Sequence, residues 1–375
     1  MMVFERFFSK KFFLLALFSL YFSSCSVAFA SGEAEDGPYN PKEATFHHLL
    51  DNYYWEFGPW GKLGLPRILW NKKSGSLDFF ANTEAAVAAG YVEAHNYNHD
   101  AAHGALLVPE VKDELNVPVK EHNSAAHAEA EDLSEYTPLD FSITKNVLYM
   151  FIAAALTLII FISVANSYKR RQGAAPKGLQ SFMEPVVVFI RDEIAKENIG
   201  EKKYERFMPL LLTFFFFILF LNLLGLTPFS GNVTGNISVT LALSLITLAS
   251  TIIFASKDFW KHIFWPPVPH GVKIIMVPLE VLSIFTKPFS LTIRLFANIT
   301  AGHVMIISLI GLIFIFGKNG QNPGLAWGVG IFSSLFVVAI SLLELFVALL
   351  QAYVFTMLTA VFIGQSVESH DDHHD

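Results

Sequence analysis

The chain has 375 residues, of which 53% are hydrophobic and only 16% are charged, and it contains 37 Phe. This balance is too apolar for an ordinary soluble enzyme and predicts a polytopic membrane protein. The net charge of −7 is spread unevenly along the chain, and no nucleic-acid partner is expected. The single cysteine, Cys25, excludes an intrachain disulfide.

Residues 1–30 have the pattern of a secretory signal peptide. A basic start is followed by an apolar run over 12–22 and by Ala28-Phe29-Ala30, a small-x-small cleavage site. Lipidation at Cys25 and an uncleaved N-terminal anchor stay open as alternatives. In each case the segment that follows is expected to be exported to the outer side of the membrane.

Residues 31–140 are predicted to form an acidic, His-rich exported extension in the periplasm. They hold 19 acidic and seven basic residues, a net charge of minus twelve, and seven of the 13 histidines. His95, His99 and His103 are spaced four apart and would share a helix face that could bind a metal. A solvated His-rich stretch is the favoured interpretation, so neither a metal nor a cofactor is expected. The aromatic residues of 53–60 could support a fold, whereas much of 108–138 looks weakly structured.

A membrane domain is predicted over 141–366, with about five membrane helices. The first, about 143–165, ends at Lys169-Arg170-Arg171, a basic cluster that indicates the cytoplasmic side. The second and third are about 207–226 and 237–255. The amphipathic residues 178–200 fit a helix in the membrane interface, or a soluble connecting helix. An odd number of spans places the tail 367–375 in the cytoplasm.

The last two membrane segments are too long for perpendicular helices. Residues 272–316 are almost free of charge over about 45 positions, whereas about 20 residues cross a bilayer. Pro278 and Pro288 can kink this helix but do not reverse it. A turn at 317–324 leads to a second long helix at 327–363. The pattern predicts an all-α fold whose last two helices form a strongly tilted hairpin.

Arg294 lies deep inside the first of these long segments. A guanidinium keeps its proton, and placing it in a membrane costs from about 3 to more than 10 kcal/mol. An intramembrane Arg therefore indicates an ion pathway or a partner carboxylate by default. Snorkelling to the surface is the alternative, but apolar residues continue for more than a dozen positions beyond it.

Other polar residues interrupt the same two helices at helical spacing. At 100° per residue, Glu280, Lys287 and Asn298 fall on the stripe of Arg294, and His303 falls opposite. Two polar faces separated by a fixed positive charge could hold water on either side of a barrier. Lys287 could instead simply lie at the interface, and Asn298 could make an ordinary interhelical hydrogen bond.

The last helix carries one polar stripe, made by Glu344 and Gln351. Glu344 and His303 suit proton handling, because a wet or paired site can bring either group near neutrality. A helix–helix hydrogen bond is the alternative for His303 and Gln351, and a neutral buried acid for Glu344.

These residues lie in a recognisable pattern. The run Lys287-Pro288-Phe289-Ser290-Leu291-Thr292-Ile293-Arg294-Leu295-Phe296-Ala297-Asn298, followed by Ala301-Gly302-His303, closely resembles the signature of subunit a of F-type ATP synthases. Segments 350–359, 222–228 and 236–243 resemble further parts of that family. The resemblance covers about 140–366 and leaves the exported extension out.

The resemblance implies a proton-translocating stator subunit of a rotary motor, with no catalytic site of its own. Arg294 is implied to face the carboxylates of the rotating c-ring, with Asn298 and Gln351 lining the route beside it. The pair His303 and Glu344 is implied to belong to the half-channel open to the outside.

Glu280 is implied to lie toward the inner half-channel. Some bacterial members carry the acid and the histidine in the reverse order, and some carry an aspartate where Gly225 stands here. The absence of that aspartate leaves the outer entrance of the pathway open.

The resemblance further implies the c-ring, a b-type peripheral stalk, membrane lipids and protons as partners. The implied location is the inner membrane of a Gram-negative-type bacterium, with the N-terminal region periplasmic and the C-terminus cytoplasmic. H⁺ and Na⁺ both stay open as the coupling ion. Two other functions compete: a secondary ion-coupled transporter, which predicts repeated halves with broken helices, and a structural membrane protein whose exported domain is the active part.

Overall fold

A computed structural model of the chain describes residues 51–56, 61–93, 105–109, 137–170, 175–227, 232–266, 268–317 and 321–367. The predicted signal peptide with Cys25, the spaced histidines His95, His99 and His103, and the tail from 368 onward lie outside the described residues.

Helices make up most of the described chain. They are α1 (Thr83–Ala88), α2 (Lys145–Arg170), α3 (Leu179–Phe189), α4 (Glu197–Ile199), α5 (Tyr204–Gly225), α6 (Ile237–Ile253), α7 (Lys257–Phe264), α8 (His270–Phe316) and α9 (Pro323–Val367), with a π-helical segment, Ile190–Lys196, between α3 and α4. Helices α2, α5, α8 and α9 are long and apolar enough to cross a membrane, and α6 with α7, bent by 100°, forms a fifth candidate. The predicted all-α polytopic fold with about five membrane helices is confirmed.

Helices α8 and α9 form the predicted over-long hairpin. They contain 47 and 45 residues, so each is about 70 Å long, more than twice the thickness of the hydrocarbon layer. Pro278 and Pro288 lie inside α8, which continues through both. Since a perpendicular helix of this length would leave much of its apolar surface in water, the pair runs obliquely.

Aromatic and branched side chains of α5 and α9 fill the core beneath this hairpin. Phe214 and Phe355 pack edge to face with ring centroids 5.4 Å apart. Ile190 and Ile194 of the π-helical segment join the same core. At Gly364, a Cβ would overlap the backbone oxygen of Asn198, so this glycine permits α4 to approach the end of α9.

The amphipathic segment 178–200 therefore packs against the bundle with one face. Its other face leaves Leu179 and Phe182 about half exposed, at 45% and 53%. Exposed apolar side chains beside membrane helices favour the interfacial interpretation over a soluble connecting helix.

A small module of short antiparallel strands, whose architecture could not be predicted from the sequence, precedes α2. Its strands are β1 (Tyr54–Glu56), β2 (Lys62–Gly64), β3 (Arg67–Trp70), β4 (Leu77–Phe80), β5 (Val92–Glu93), β6 (Leu106–Leu107) and β7 (Leu139–Asp140). Strands β4, β3 and β7 form one sheet in that order. We call the described residues from 51 to 144 the β module.

The β module is joined to the first turn of α2. Lys145 N donates to Asn52 O at 2.8 Å, and Asn146 N donates to Asp51 Oδ1 at 3.0 Å. Both bonds satisfy amide groups that a helix start otherwise leaves without acceptors. Trp55 then packs edge to face on Tyr149, with ring centroids 5.8 Å apart. The module thus sits directly on the N-terminal end of the first membrane helix.

Candidate functional site

His303 of α8 and Glu344 of α9 lie side by side within the hairpin. Nδ1 of His303 is 3.9 Å from Oε1 of Glu344, and their side chains are 14% and 4% exposed. Within the described residues Glu344 Oε1 accepts no hydrogen bond. A carboxyl group and an imidazole are therefore enclosed together among apolar helices. A shift of about 1 Å in either side chain would bring the two groups within hydrogen-bond distance.

A second polar contact joins the same helices nearer their other end. Lys287 Nζ donates to Gln365 Oε1 at 2.9 Å, and it lies 5.2 Å from the centroid of the Phe362 ring. The lysine is thus held against α9 within the hairpin.

The two contacts define the antiparallel register of α8 and α9. Between the two contacts, counted in residues along each helix, Gln351 lies a third of the way from Glu344 to Gln365 in α9. Asn298 lies about a third of the way from His303 to Lys287 in α8. Gln351 and Asn298 therefore lie at about the same level, Gln351 buried and Asn298 exposed.

By the same interpolation, Arg294 lies level with about 355–356 of α9. Its side chain is half-buried, and its neighbours Leu291 and Leu295 point into the core. No carboxylate of the described residues forms an ion pair with its guanidinium. The structure thus places a permanent cation on a membrane helix with no carboxylate counterion among the described residues.

Glu280 is separate from these residues. It is half-buried, 14 residues before Arg294, which corresponds to about 21 Å along the helix. Arg294 thus lies between Glu280 on one side and His303 with Glu344 on the other.

Several buried polar residues beside this site were not singled out from the sequence. Asn222 of α5 is buried and donates through Nδ2 to Ala348 O at 3.1 Å. Thr292 Oγ1 donates to Ser244 Oγ of α6 at 2.9 Å, and Ser333 is fully buried in α9. Small polar residues within apolar helices are a weak signal, because membrane helices commonly use such residues to pack together.

The comparison with known proteins identifies the family to which this site belongs. The sequence model of the ATP synthase A chain family matches residues 147–364, more than half of the chain, and the match includes Arg294, His303 and Glu344. The chain belongs to the ATP synthase A chain family. It is therefore a multi-pass membrane subunit of an ATP synthase complex.

Individual relatives extend this assignment beyond the membrane domain. The ATP synthase subunit a of Chloroherpeton thalassium is 49% identical over 241 residues, 63% of this chain and 69% of the relative. That of Anaeromyxobacter dehalogenans is 41% identical over 309 residues, 77% of each chain. The ATP synthase subunit a 2 of Chlorobaculum tepidum is 37% identical over 351 residues, 92% of this chain and 78% of the relative, so the similarity reaches into residues 31–140.

Proposed function

We propose that this chain conducts protons to and from the rotor of an F-type ATP synthase, through two offset half-channels that Arg294 separates. The observation that carries the proposal is the half-buried guanidinium without a carboxylate partner in the described residues. Since such a charge costs at least about 3 kcal/mol in a membrane, its counterion is expected on another subunit. A carboxylate of the c-ring would supply it.

The arrangement of the helix ends supports an orientation for the two half-channels. Lys203 Nζ donates to Val367 O, so the end of α9 lies beside the start of α5. Tyr149 near the start of α2 shares a cluster with Leu221 near the end of α5, so α2 ends on that same side, at Lys169 and Arg170. The positive-inside rule makes this side cytoplasmic.

In this orientation, His303 and Glu344 belong to the outer half of the hairpin, and Lys287 and Glu280 to the inner half. The β module then lies outside, as the signal-peptide pattern also predicts. A proton from outside would pass His303 and Glu344 and neutralise a c-ring carboxylate, which then turns into the lipid. After nearly a full rotation, the carboxylate would release the proton on the inner side of Arg294.

Arg294 performs two tasks in this mechanism. Its charge repels a proton that would cross directly from one half-channel to the other. It also attracts each rotor carboxylate once that group is ionised. Every charge that crosses yields about 2.3 kcal/mol per 100 mV. Asn298 and Gln351, level with each other near Arg294, would line the route with hydrogen-bonding groups.

The test replaces Arg294 with Ala and measures ATP-driven proton pumping in inverted membrane vesicles. We expect assembled complexes that hydrolyse ATP but no longer acidify the vesicles. Ile293→Ala, on the adjacent exposed position, is the matched control and should pump normally. Normal pumping by Arg294→Ala would reject the proposal and leave a structural role.

The secondary-transporter alternative receives less support. Transporters of that kind place their sites at paired broken helices. In the part of the chain that the structure describes, α6 with α7 is the one broken helix pair. Helices α8 and α9, which carry the candidate site, are much longer and run without a break.

A further inference from the structure

One face of the three-stranded sheet in the β module is apolar and exposed. In the strand register Ile68 pairs with Phe79, and Trp70 pairs with both Leu77 and Leu139. Phe141 N donates to Ile68 O, which continues the row. Because residues two apart in a strand point to the same side, all six side chains lie on one face. We call it the apolar sheet face; its members are Ile68, Trp70, Leu77, Phe79, Leu139 and Phe141.

The opposite side of the same sheet is the interior of the β module. Leu69 is buried there against Ala86 of α1 and Tyr91. The apolar sheet face is therefore not the module's own core. Phe79 and Phe141 are 67% and 62% exposed. A contiguous apolar patch of this kind indicates a surface that contacts another phase or molecule.

The apolar sheet face lies close to the membrane surface. Phe141 is four residues before Lys145, where α2 begins, so the chain between them reaches about 14 Å at most. Helix α2 has 26 residues and is about 39 Å long, several ångströms longer than the hydrocarbon layer. Since its last turn carries Lys169 and Arg170 in one headgroup layer, its first turn reaches the other.

The side chains of the apolar sheet face suit the headgroup layer that the first turn of α2 reaches. Outward side chains of α2, including Phe151, Leu158 and Ile159, are apolar and exposed as lipid contacts require. The apolar sheet face is connected to the start of this helix by a chain that reaches about 14 Å at most, and it contains three aromatic rings, which favour the membrane–water boundary. None of its six members is charged, whereas most protein interfaces include polar groups at their rim.

We propose that the apolar sheet face rests on the outer surface of the bilayer, with Trp70, Phe79 and Phe141 inserted at the boundary between headgroups and acyl chains. The lipid surface is the partner, and the β module is held against the membrane at two places, this face and the start of α2. This proposal is independent of the proton pathway, because none of the six side chains belongs to it.

Spin labelling of the full chain in liposomes of phosphatidylethanolamine and phosphatidylglycerol tests the proposal. Cys25, the single cysteine, is replaced by Ser, and a nitroxide is attached at Phe79→Cys or at Leu77→Cys on the same face. Glu84→Cys on α1, which lies against the covered side of the sheet, is the control. Collision rates are measured with oxygen, which concentrates in lipid, and with a neutral nickel chelate, which stays in water.

We expect oxygen to dominate at 77 and 79 and nickel to dominate at 84. Dominance of nickel at all three positions would show that the face is in water and would overturn the proposal. Low collision rates with both reagents at 77 and 79 would show that protein covers the face, which overturns it equally. Two labelled positions guard against a local disturbance by one label.

Discussion

Gly302 and Glu344 are in contact across the α8–α9 hairpin. A Cβ on Gly302 would lie 2.6 Å from Oε1 of Glu344 and 2.9 Å from its Cδ, closer than side chains approach. Because the neighbouring His303 is 3.9 Å from the same oxygen, the absence of a side chain at 302 determines where the carboxyl group lies relative to the imidazole.

Gly302→Ala is therefore expected to displace the Glu344 carboxyl group and reduce proton pumping, while the complex still assembles. Shortening the acid with Glu344→Asp in the same chain should restore part of the loss, because it removes one methylene from the crowded site. Gly330→Ala, where a Cβ meets nothing within 4 Å, is the matched control. Unchanged pumping in Gly302→Ala would show that the position of the carboxyl group does not matter.

Glu344→Gln should lower pumping by roughly a hundredfold or more, the lower range for losing a positioned proton-transfer group. The amide preserves shape and hydrogen bonding but cannot take up and release a proton.

The exchanged pair His303→Glu with Glu344→His keeps one acid and one imidazole, so it should pump better than either single change. Vesicle acidification rates, normalised to assembled complex, measure the difference. If Glu344→Gln pumps normally, the pair is structural.

Arg67 stabilises the β module from a fully buried position. Its Cζ lies 3.5 Å from the centroid of the Tyr53 ring, and Nη2 is 3.4 Å from Asp140 Oδ2. Arg67→Leu should destabilise the module by about 3 kcal/mol, the lower end for breaking a buried ion pair, because it leaves a partly buried carboxylate without its cation. Faster limited proteolysis of the full chain in liposomes would report this.

The control for Arg67 is an exposed cation of the same module. Lys62 Nζ lies 5.1 Å from the centroid of the Tyr54 ring, and an exposed contact of this kind contributes only about 0.5 kcal/mol. Lys62→Met should therefore leave the proteolysis rate almost unchanged. Equal rates for the two variants would contradict a special role for the buried arginine.

Asp51, which accepts from Asn146 N at the start of α2, makes the attachment of the β module pH-dependent. Burial raises the pKa of Asp51 above its usual value, against the opposing effect of this hydrogen bond. A raised folded-state pKa means that the folded state binds the proton more tightly. Stability is then greater at low pH and declines as the pH rises from the unfolded pKa through the folded one.

Asp51→Asn should therefore stabilise the attachment relative to the parent chain at pH 7 and lose that advantage near pH 3. The amide oxygen still accepts from Asn146 N, and the buried charge is removed. Thermal unfolding of the full chain in nanodiscs, followed at both pH values, measures the difference. A larger gain at low pH than at neutral pH would have the wrong sign for this explanation.

The positions of the long helices follow from the positions and lengths of the hydrophobic runs in the sequence. The expected segments 207–226 and 237–255 correspond to Tyr204–Gly225 and Ile237–Ile253, and the two over-long helices were expected within four residues of their ends. Helix α2 continues to Arg170, five residues past the expected end, because polar and basic side chains can extend from a helix into the headgroup layer.

The β module and the π-helical segment could not be predicted in this way. The strands are two to four residues long, too short for an alternating pattern, and β3 pairs with β7 about 70 residues away. The π-helical hydrogen bonding of Ile190–Lys196 could not be predicted, because the apolar residues there have a spacing that already fits an ordinary α-helix.

A membrane protein with an Arg in a long apolar helix can be recognised from the residue order, since hydrophobic run length and an obligate charge are local properties. The family resemblance already implied His303 and Glu344 as a pair, but their 3.9 Å approach and the common level of Gln351 and Asn298 emerged only from the packing of α8 and α9. The register of two antiparallel helices depends on how their side chains interlock, and here a single missing side chain at Gly302 admits Glu344. Such a fit between residues 42 positions apart is a property of packing, and helical periodicity cannot supply it.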